Sequence, residues 1–269
     1  MKKIPFKAVA VDMDGTFVNS QNTYDRQRFR RVLDKLHEHD IHFIVASGRP
    51  LIRLEKDFAG FMDKIDVISD NGAILVRDKK IINTHYFTHQ TTLKLLRYIL
   101  RKYPNSSVIA CGLSNSYVLA NSSVNFKKFM NYYYYNYLTI NSIDEIPVND
   151  PIDKITLWTD ATPEEIESEF NTDYTEQVHA TSSGFNCIDI INHGVNKASG
   201  IKYFLRYFKI NPSELIAFGD GMNDSEMLQL AGYSYAMENA DPELKKIAKY
   251  EAPSNNENGV LKVLESYLN

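Results

Sequence analysis

Strand-like and helix-like segments alternate at both ends of the 269-residue chain, and this alternation is interrupted in the middle. Near the start, an apolar strand-like run at 8–11 precedes an amphipathic helix at 26–39, and a β-branched and aromatic run follows at 42–46. A helical stretch at 51–61 and a strand at 65–69 continue the pattern. Such alternation predicts right-handed crossovers between the strands of a parallel sheet.

The middle of the chain, from about residue 84 to residue 191, follows a different pattern. Its short strands come in neighbouring groups instead of alternating regularly with helices. The predicted elements are helices at 93–103 and from Thr162 onward, and strands at 107–112, 117–121, 155–159, 177–181 and 185–191. This pattern predicts a separate α+β unit inserted into the first domain.

The alternation returns in the last third of the chain. The predicted elements are helices at 198–208, 225–231 and 242–249, strands at 215–218 and 233–236, and a closing segment at 260–267. The fold class predicted from these patterns is α/β, with a Rossmann-like doubly wound parallel sheet core and an inserted α+β domain. We assign residues 1–83 and 192–269 to the discontinuous core, and residues 84–191 to the insert.

The composition argues against several classes of function. Apolar residues make up 43% of the chain and charged residues 24%, which is ordinary for a globular protein. The net charge of −4, without a long Lys/Arg run, argues against nucleic-acid binding. No apolar run approaches the about 18 residues that a membrane span needs, and nothing indicates an obligate protein partner. Cys111 and Cys187 lie in apolar strand-like runs, which favours buried thiols over a disulfide and predicts a cytoplasmic protein.

Two acids, Asp12 and Asp14, stand two residues apart directly after the first predicted strand. If the strand continued, both side chains would point to the same side and repel each other. This arrangement is costly unless a cation lies between the carboxylates. The pair therefore indicates chemistry with a metal ion and an anionic substrate.

Three further polar groups occur in loops beside the predicted core strands. Residues 47–49 follow the second strand, Asn196 and Lys197 open a helix, and residues 219–224 follow the strand at 215–218. In an open parallel sheet, binding sites form at the carboxyl ends of the strands. We therefore expect these groups to meet the acid pair at one edge of the core sheet.

The chemistry of these side chains is consistent with phosphoryl transfer. Hard oxygen ligands suited to Mg²⁺ are supplied by Asp12, Asp14 and Asp220. Donors suited to a phosphoryl group are Ser47, the Gly48 amide, Lys197 and Asn223. No Ser, His or Cys triad has a matching context, so a carboxylate is the best available nucleophile and can form an acyl phosphate. The second acid can protonate the leaving oxygen and later activate water.

Each of these groups also has an ordinary structural explanation when it is taken alone. The acid pair is compatible with solvated loop carboxylates, and residues 47–49 with a plain turn. Lys197 resembles a solvated lysine at a helix end, and Asn223 or Asp224 is a reasonable helix N-cap. Their joint occurrence, in four loops of a single chain, favours the chemical interpretation.

The four groups together resemble the motifs of the haloacid dehalogenase superfamily, in the same order along the chain. Residues 12–16 resemble the first motif, Ser47 the second, Lys197 the third and residues 219–224 the fourth. The resemblance implies that Asp12 is the nucleophile and Asp14 the general acid/base. It implies a Mg²⁺ site and a phosphate site, and it places Asp224 behind the metal, where it would orient Lys197 or a metal-bound water. The implied metal ligands are Asp12, the Asp14 backbone carbonyl and Asp220, and the implied phosphate-binding groups are the Met13 amide, Ser47, Gly48, Lys197 and Asn223.

The position of the insert resembles the Cof-type branch of this superfamily, which has a large α/β cap. The turn at 70–73 is also typical of that branch. Residues 111–113, 181–190 and 236–240 are similar to bacterial sugar-phosphate phosphatases that also act on flavin mononucleotide. The resemblance thus implies a Mg²⁺-dependent phosphatase for small phosphate monoesters, acting through an aspartyl-phosphate. The alternatives are a sugar phosphomutase and a phosphometabolite-binding module without catalysis.

Overall fold

The computed structural model describes residues 4–134, 137–159, 162–174, 177–184 and 186–269. The chain forms two compact units. The first comprises Met1–Ser47, Gly60–Ile82 and Asn196–Asn269, and the second comprises Gly48–Ala59 and Asn83–Val195.

The larger sheet carries the elements that supply the predicted site. Its strands are β1 (Ala8–Val11), β2 (His42–Ala46), β3 (Asp66–Ser69), β4 (Ile74–Arg77), β5 (Lys80–Thr84), β12 (Leu215–Gly219), β13 (Tyr233–Met237) and β14 (Tyr250–Ala252). Among the described residues they lie in the order β14-β13-β12-β1-β2-β3-β4-β5. Strand β1 is central and pairs in parallel with both β2 and β12, so that Val11 lies opposite Val45 on one side and Phe218 on the other. The carboxyl ends of these three strands therefore lie side by side.

The helices of the first unit are amphipathic, and each buries an apolar face. They are α1 (Arg26–Glu38), α6 (Lys197–Phe208), α7 (Ser225–Leu230), α8 (Pro242–Ile247) and α9 (Gly259–Leu268). The face predicted for α1 is confirmed, because Phe29, Val32, Leu33 and Leu36 are all buried. The Asp25 side chain accepts a hydrogen bond from the Arg28 N–H and caps the start of that helix.

The second unit contains a sheet of its own. Its strands are β6 (Ser107–Gly112), β7 (Ser116–Leu119), β8 (Tyr137–Ile140), β9 (Ile152–Trp158), β10 (Val178–Gly184) and β11 (Cys187–Asn192), in the order β10-β11-β9-β6-β7-β8. Its helices are α2 (Leu51–Asp57), α3 (His89–Lys102), α4 (Val124–Tyr133) and α5 (Pro163–Asp173). Apolar side chains from α3, α5 and the sheet form one core, which includes Leu95, Ile155 and Phe170.

The predicted fold class is confirmed, while several elements differ from the sequence prediction. Strands β4, β5, β8 and β14 and helix α4 were not predicted. Strand β4 pairs antiparallel with β3, because the turn at Asp70–Gly72 reverses the direction of the chain. Residues 48–59 belong to the second compact unit, whereas the sequence assigned them to the core. The domain limits at residues 83/84 and 191/192 stay a prediction.

Three smaller points complete the comparison with the sequence. Cys111 and Cys187 are both buried thiols that are not joined in a disulfide, as predicted. Within the described parts of the chain, no helix has the length and apolar character needed to cross a bilayer. Phe185, which belongs to one of the stretches that carried the family resemblance, lies outside the described residues.

Candidate active site

The acid pair lies in a tight turn at the carboxyl end of β1. Asp12 continues the extended backbone, its N–H donates to the Phe218 carbonyl, and the chain then turns over residues Met13–Phe17. Gly15 adopts a φ of 74°, and a Cβ atom at this position would collide with the Asp220 carboxylate. Only glycine permits both this backbone conformation and this approach. The turn therefore brings the loop after β1 against the loop after β12.

Lys197 reaches this turn from the first position of α6. Its ammonium donates to Asp12 Oδ1 at 2.5 Å and to Asp224 Oδ1 at 2.7 Å. The side chain is 1% exposed, so that it is not the solvated helix-end lysine of the ordinary structural explanation. The structure thus joins the first, third and fourth sequence groups through one buried cation.

The start of α6 is held in place from two sides. The Asn196 side chain accepts from the Ser199 N–H and caps the helix. The Asp70–Gly72 turn packs against Asn196 so closely that a Cβ atom at Gly72 would collide with the Asn196 carbonyl. The Asn71 N–H from the same turn donates to the Ser47 carbonyl at 2.9 Å. One left-handed turn therefore supports both Ser47 and the helix that carries Lys197.

The Asp224 carboxylate organises the loop after β12. Its Oδ2 atom accepts from the N–H groups of Asp220 at 3.0 Å and Gly221 at 3.3 Å, while Oδ1 accepts from Lys197. Asp220 Oδ1 in turn accepts from the Thr16 hydroxyl at 2.7 Å. Since both oxygens of the fully buried Asp224 already accept hydrogen bonds, its best-supported role is to orient Lys197 and the Asp220 loop.

The electrostatics of this cluster are dominated by burial. Burial raises the pKa of Asp12 well above its ordinary value; Lys197 opposes this rise, and the neighbouring carboxylates of Asp224, Asp220 and Asp14 add to it. Burial, together with Asp224, raises the pKa of Asp220 to about 7. Burial alone would lower the pKa of Lys197, but the carboxylates of Asp12 and Asp224 outweigh it and raise that pKa. The single ammonium therefore stays charged and does not neutralise all of the acids.

The donor set fits a small divalent cation. Carboxylate oxygens of Asp12, Asp220 and Asp224 lie within 4.8 Å of one another. All are hard oxygen donors of the kind that Mg²⁺ prefers, and three carboxylates lie there beside one ammonium, that of Lys197. The residues that would hold Mg²⁺ are Asp12, Asp220 and, through its backbone carbonyl, the half-buried Asp14.

For the predicted phosphate-binding residues, the structure gives the position of each residue but does not test whether they bind phosphate. Ser47 is buried at the end of β2, the strand next to β1, and its N–H donates to the Ile68 carbonyl. Met13 is buried within the turn after Asp12, and the half-buried Asn223 directly precedes Asp224. Gly48 belongs to the second compact unit. Phosphate binding by these residues stays a prediction.

Two residues with no role in the sequence prediction contact the site. Thr16 binds the Asp220 carboxylate, as described above. Asn239 donates from Nδ2 to the Gly15 carbonyl at 2.7 Å and accepts from the Asn255 N–H at 3.1 Å. Thr16 lies inside the first motif and could have been found there. Asn239 and Gly15 are 224 residues apart in the chain, and a local sequence pattern cannot predict a contact between such distant residues.

In metal-free buffer, replacing Asp220 with asparagine should flatten the fall in stability as pH rises. An aspartate with a folded-state pKa of about 7 and an unfolded value near 3.8 destabilises the fold progressively between about pH 4 and pH 7. The wild-type melting temperature in EDTA should therefore drop by several degrees more over this range than that of Asp220→Asn. Circular dichroism melts across the range measure this difference. Asp34→Asn, a change at an exposed acid of the same unit, is the control, and parallel curves for wild type and Asp220→Asn would contradict the assignment.

The chain is similar to known proteins over nearly its whole length. The model of the haloacid dehalogenase-like hydrolase family matches residues 9–264. The chain is 32% identical over 263 residues to YbjI of Escherichia coli K12, a 5-amino-6-(5-phospho-D-ribitylamino)uracil phosphatase, covering 97% of this chain and 96% of that protein. The crystal structure of SMU.1108c from Streptococcus mutans UA159 superimposes with a TM-score of 0.93 at 34% identity, covering 98% of this chain and 99% of that one.

A third similar structure bears on the fold alone. The HAD subclass IIB sugar phosphatase BT4131 gives a TM-score of 0.82 at 23% identity, covering 97% of this chain and 98% of that one. The fold of this chain is thus shared with that structure. With the family match over nearly the whole chain, the conclusion is direct: this protein belongs to the haloacid dehalogenase-like hydrolase family and is a phosphatase.

Proposed function

We propose that the protein is a Mg²⁺-dependent phosphomonoesterase that works through an aspartyl-phosphate on Asp12. The observation that carries the proposal is the buried contact of Lys197 with Asp12 and Asp224, beside Asp220. A lysine between two carboxylates favours the ionised form of Asp12 against the burial that raises its pKa, and the ionised form is the one that attacks phosphorus. It also supplies positive charge where the transferred phosphoryl group gathers negative charge.

The first half of the reaction forms one bond and breaks another. An Asp12 carboxylate oxygen attacks phosphorus in line with the ester oxygen, so that the new O–P bond forms as the P–O bond to the alcohol breaks. Asp14 donates a proton to the departing alkoxide. The alcohol leaves, and Asp12 carries the phosphoryl group.

The second half returns the enzyme to its starting state. Asp14, now ionised, removes a proton from a water molecule that attacks the phosphorus atom. The bond between Asp12 and phosphorus breaks, and inorganic phosphate leaves. Mg²⁺, held by Asp12, Asp220 and the Asp14 carbonyl, would supply positive charge that neutralises the phosphoryl oxygens. The donors for those oxygens are the Met13 and Gly48 amides, Ser47, Lys197 and Asn223.

For the leaving group, we infer a phosphorylated sugar or sugar alcohol. The support is YbjI, which is named for a substrate whose phosphate ester sits on a ribityl chain attached to an aminouracil ring. Flavin mononucleotide, whose phosphate also ends a ribityl chain, belongs to the same chemical class. A cytoplasmic location stays a prediction.

A phosphate-release screen tests this proposal and its alternatives. We expect the highest kcat/KM for ribityl phosphates, and lower values for hexose phosphates, pyridoxal phosphate and nucleoside monophosphates. Inorganic phosphate should be the product in every case. An isomerised sugar phosphate that needs a bisphosphate activator would identify a phosphomutase instead. Tight binding of these esters without turnover would identify a binding module.

A further inference from the structure

A buried lysine of the second unit contacts the backbone next to Ser47. Lys154 lies on β9, inside the smaller sheet, and is 1% exposed. Its ammonium donates to the Gly48 carbonyl at 2.6 Å. Gly48 and Lys154 belong to the same compact unit, and Gly48 directly follows Ser47 in the chain.

The charge of Lys154 is compensated within the same sheet. Asp189 Oδ2 lies 3.4 Å from the ammonium, and Asp189 is 2% exposed. The Thr156 hydroxyl donates to Asp189 Oδ1 at 2.6 Å, which fixes the carboxylate. Removing such a pair from water costs several kcal/mol per ion before the attraction between the charges is counted. Apolar side chains in the same positions would make the fold equally or more stable. The ion pair is therefore explained better by a function of the ammonium at the Gly48 carbonyl than by stability.

Glycine is the residue whose backbone most needs an external anchor. Without a Cβ atom, Gly48 has a wide choice of φ and ψ, and the peptide that follows it can rotate. The main chain at Ser47 is already fixed by its bonds to Ile68 and Asn71. A charge-assisted hydrogen bond from Lys154 fixes the next carbonyl, and it thereby limits the ψ angle of Gly48.

We propose that Lys154 is a positioning residue for phosphate recognition, which holds the Gly48 carbonyl and thereby fixes the backbone that follows Ser47. Asp189 balances the charge of the ammonium and keeps it in place. The inference rests on the proposed function, because it assumes that the Ser47–Gly48 backbone binds the phosphoryl group. According to this proposal, Lys154 of the inserted unit affects the binding of the phosphoryl group, and this effect is the same for every alcohol that the substrate carries.

The test compares Lys154→Met with the double variant Lys154→Met/Asp189→Asn. The single variant leaves Asp189 as a buried charge without its cation, so its melting temperature should fall. The double variant removes both charges, and the carbonyl oxygen of the introduced asparagine can still accept from Thr156. Most of the lost stability should therefore return in the double variant. Lys127→Met is the matched control, since Lys127 is a lysine of the same unit that donates to a different backbone carbonyl, that of Ala120.

The decisive measurement is the affinity for inorganic phosphate, by calorimetry in the presence of Mg²⁺, beside kcat/KM for several esters. Both Lys154 variants should bind inorganic phosphate about tenfold more weakly, as expected when one hydrogen bond to the phosphate is lost because the backbone that follows Ser47 is no longer held in position. The value of kcat/KM should fall by the same factor for every ester. Lys154→Arg, which keeps a cationic donor, should recover part of the phosphate affinity, and Lys127→Met should match the wild type.

Two results would overturn the inference. Wild-type phosphate affinity in the double variant, recovered together with the melting temperature, would show that Lys154 contributes only to stability. Losses that differ strongly from ester to ester, with phosphate affinity unchanged, would place Lys154 against the leaving group. Failure of the proposed function itself would look different, because the wild-type protein would then release no phosphate from any ester.

Discussion

Asp12→Asn should abolish turnover while the protein stays folded. An asparagine amide cannot form the acyl phosphate, and loss of a nucleophile costs about 10⁴- to 10⁶-fold in kcat in enzymes where the remaining groups act as a unit. The fold should survive because Lys197 keeps its bond to Asp224 and the cluster loses one of its crowded carboxylates. Phosphate release at saturating Mg²⁺ measures the activity, and a circular dichroism melt reports the fold.

The same variant tests the covalent intermediate directly. Rapid acid quench of the wild type with ³²P-labelled substrate should trap a phosphorylated protein that hydroxylamine cleaves, as an acyl phosphate requires. Asp12→Asn should give none. Asp34→Asn, a change at an exposed acid of α1, should behave as wild type in both assays. Turnover by Asp12→Asn within about a hundredfold of wild type would remove Asp12 from the nucleophile role.

Much of this site could be predicted from the sequence because its residues lie at the carboxyl ends of neighbouring parallel strands. Strands β1, β2 and β12 are short apolar runs that end in polar residues, and parallel pairing brings those ends together. Lys197, at the start of an amphipathic helix, was equally compatible with a solvated lysine, and its place in the order of the family's motifs decided between the two interpretations. Local patterns predicted the carboxylates and the α/β class, because each depends on residues close together in sequence.

The features that the sequence did not reveal depend on contacts between distant residues. The contact of Asn239 with Gly15, like that of Lys154 with Gly48, joins residues far apart in the chain. Asn239 lies in the stretch 236–240 that carried the family resemblance, but that stretch does not indicate its partner, and Lys154 lies in no recognised motif. Strand β4 has four residues, of which the first three are apolar, and periodicity cannot distinguish such a short run from a helical turn. In α4, the buried pair Phe126 and Met130 has helical spacing, but the surrounding aromatic residues are weak helix formers.

Removing Mg²⁺ should stop the reaction, and restoring it should recover the reaction fully. Dialysis against EDTA should lower kcat by about 10³-fold or more, given the several kcal/mol that a Lewis-acid metal contributes at a phosphoryl group. The reason lies in the charges at the site, where the carboxylates of Asp12, Asp220 and Asp224 lie close together and the ammonium of Lys197 bonds to two of them, Asp12 and Asp224. A dianionic phosphate ester cannot approach such a cluster without a further cation. Turnover that is indifferent to chelation would exclude a metal from the mechanism.

Two further results are expected for the metal site, one from replacing Mg²⁺ with Ca²⁺ and one from changing the pH. Ca²⁺ prefers more ligands and longer bonds than Mg²⁺, so it should compete for the site while supporting much less turnover. Since burial and Asp224 raise the pKa of Asp220 to about 7, Mg²⁺ must displace protons below that pH. Its affinity should therefore rise as pH increases from 5 to 8, and calorimetry in two buffers of different ionisation enthalpy should detect the released protons. An affinity that stays constant over this range would show that the raised pKa of Asp220 is not coupled to metal binding, and that other oxygens hold the ion.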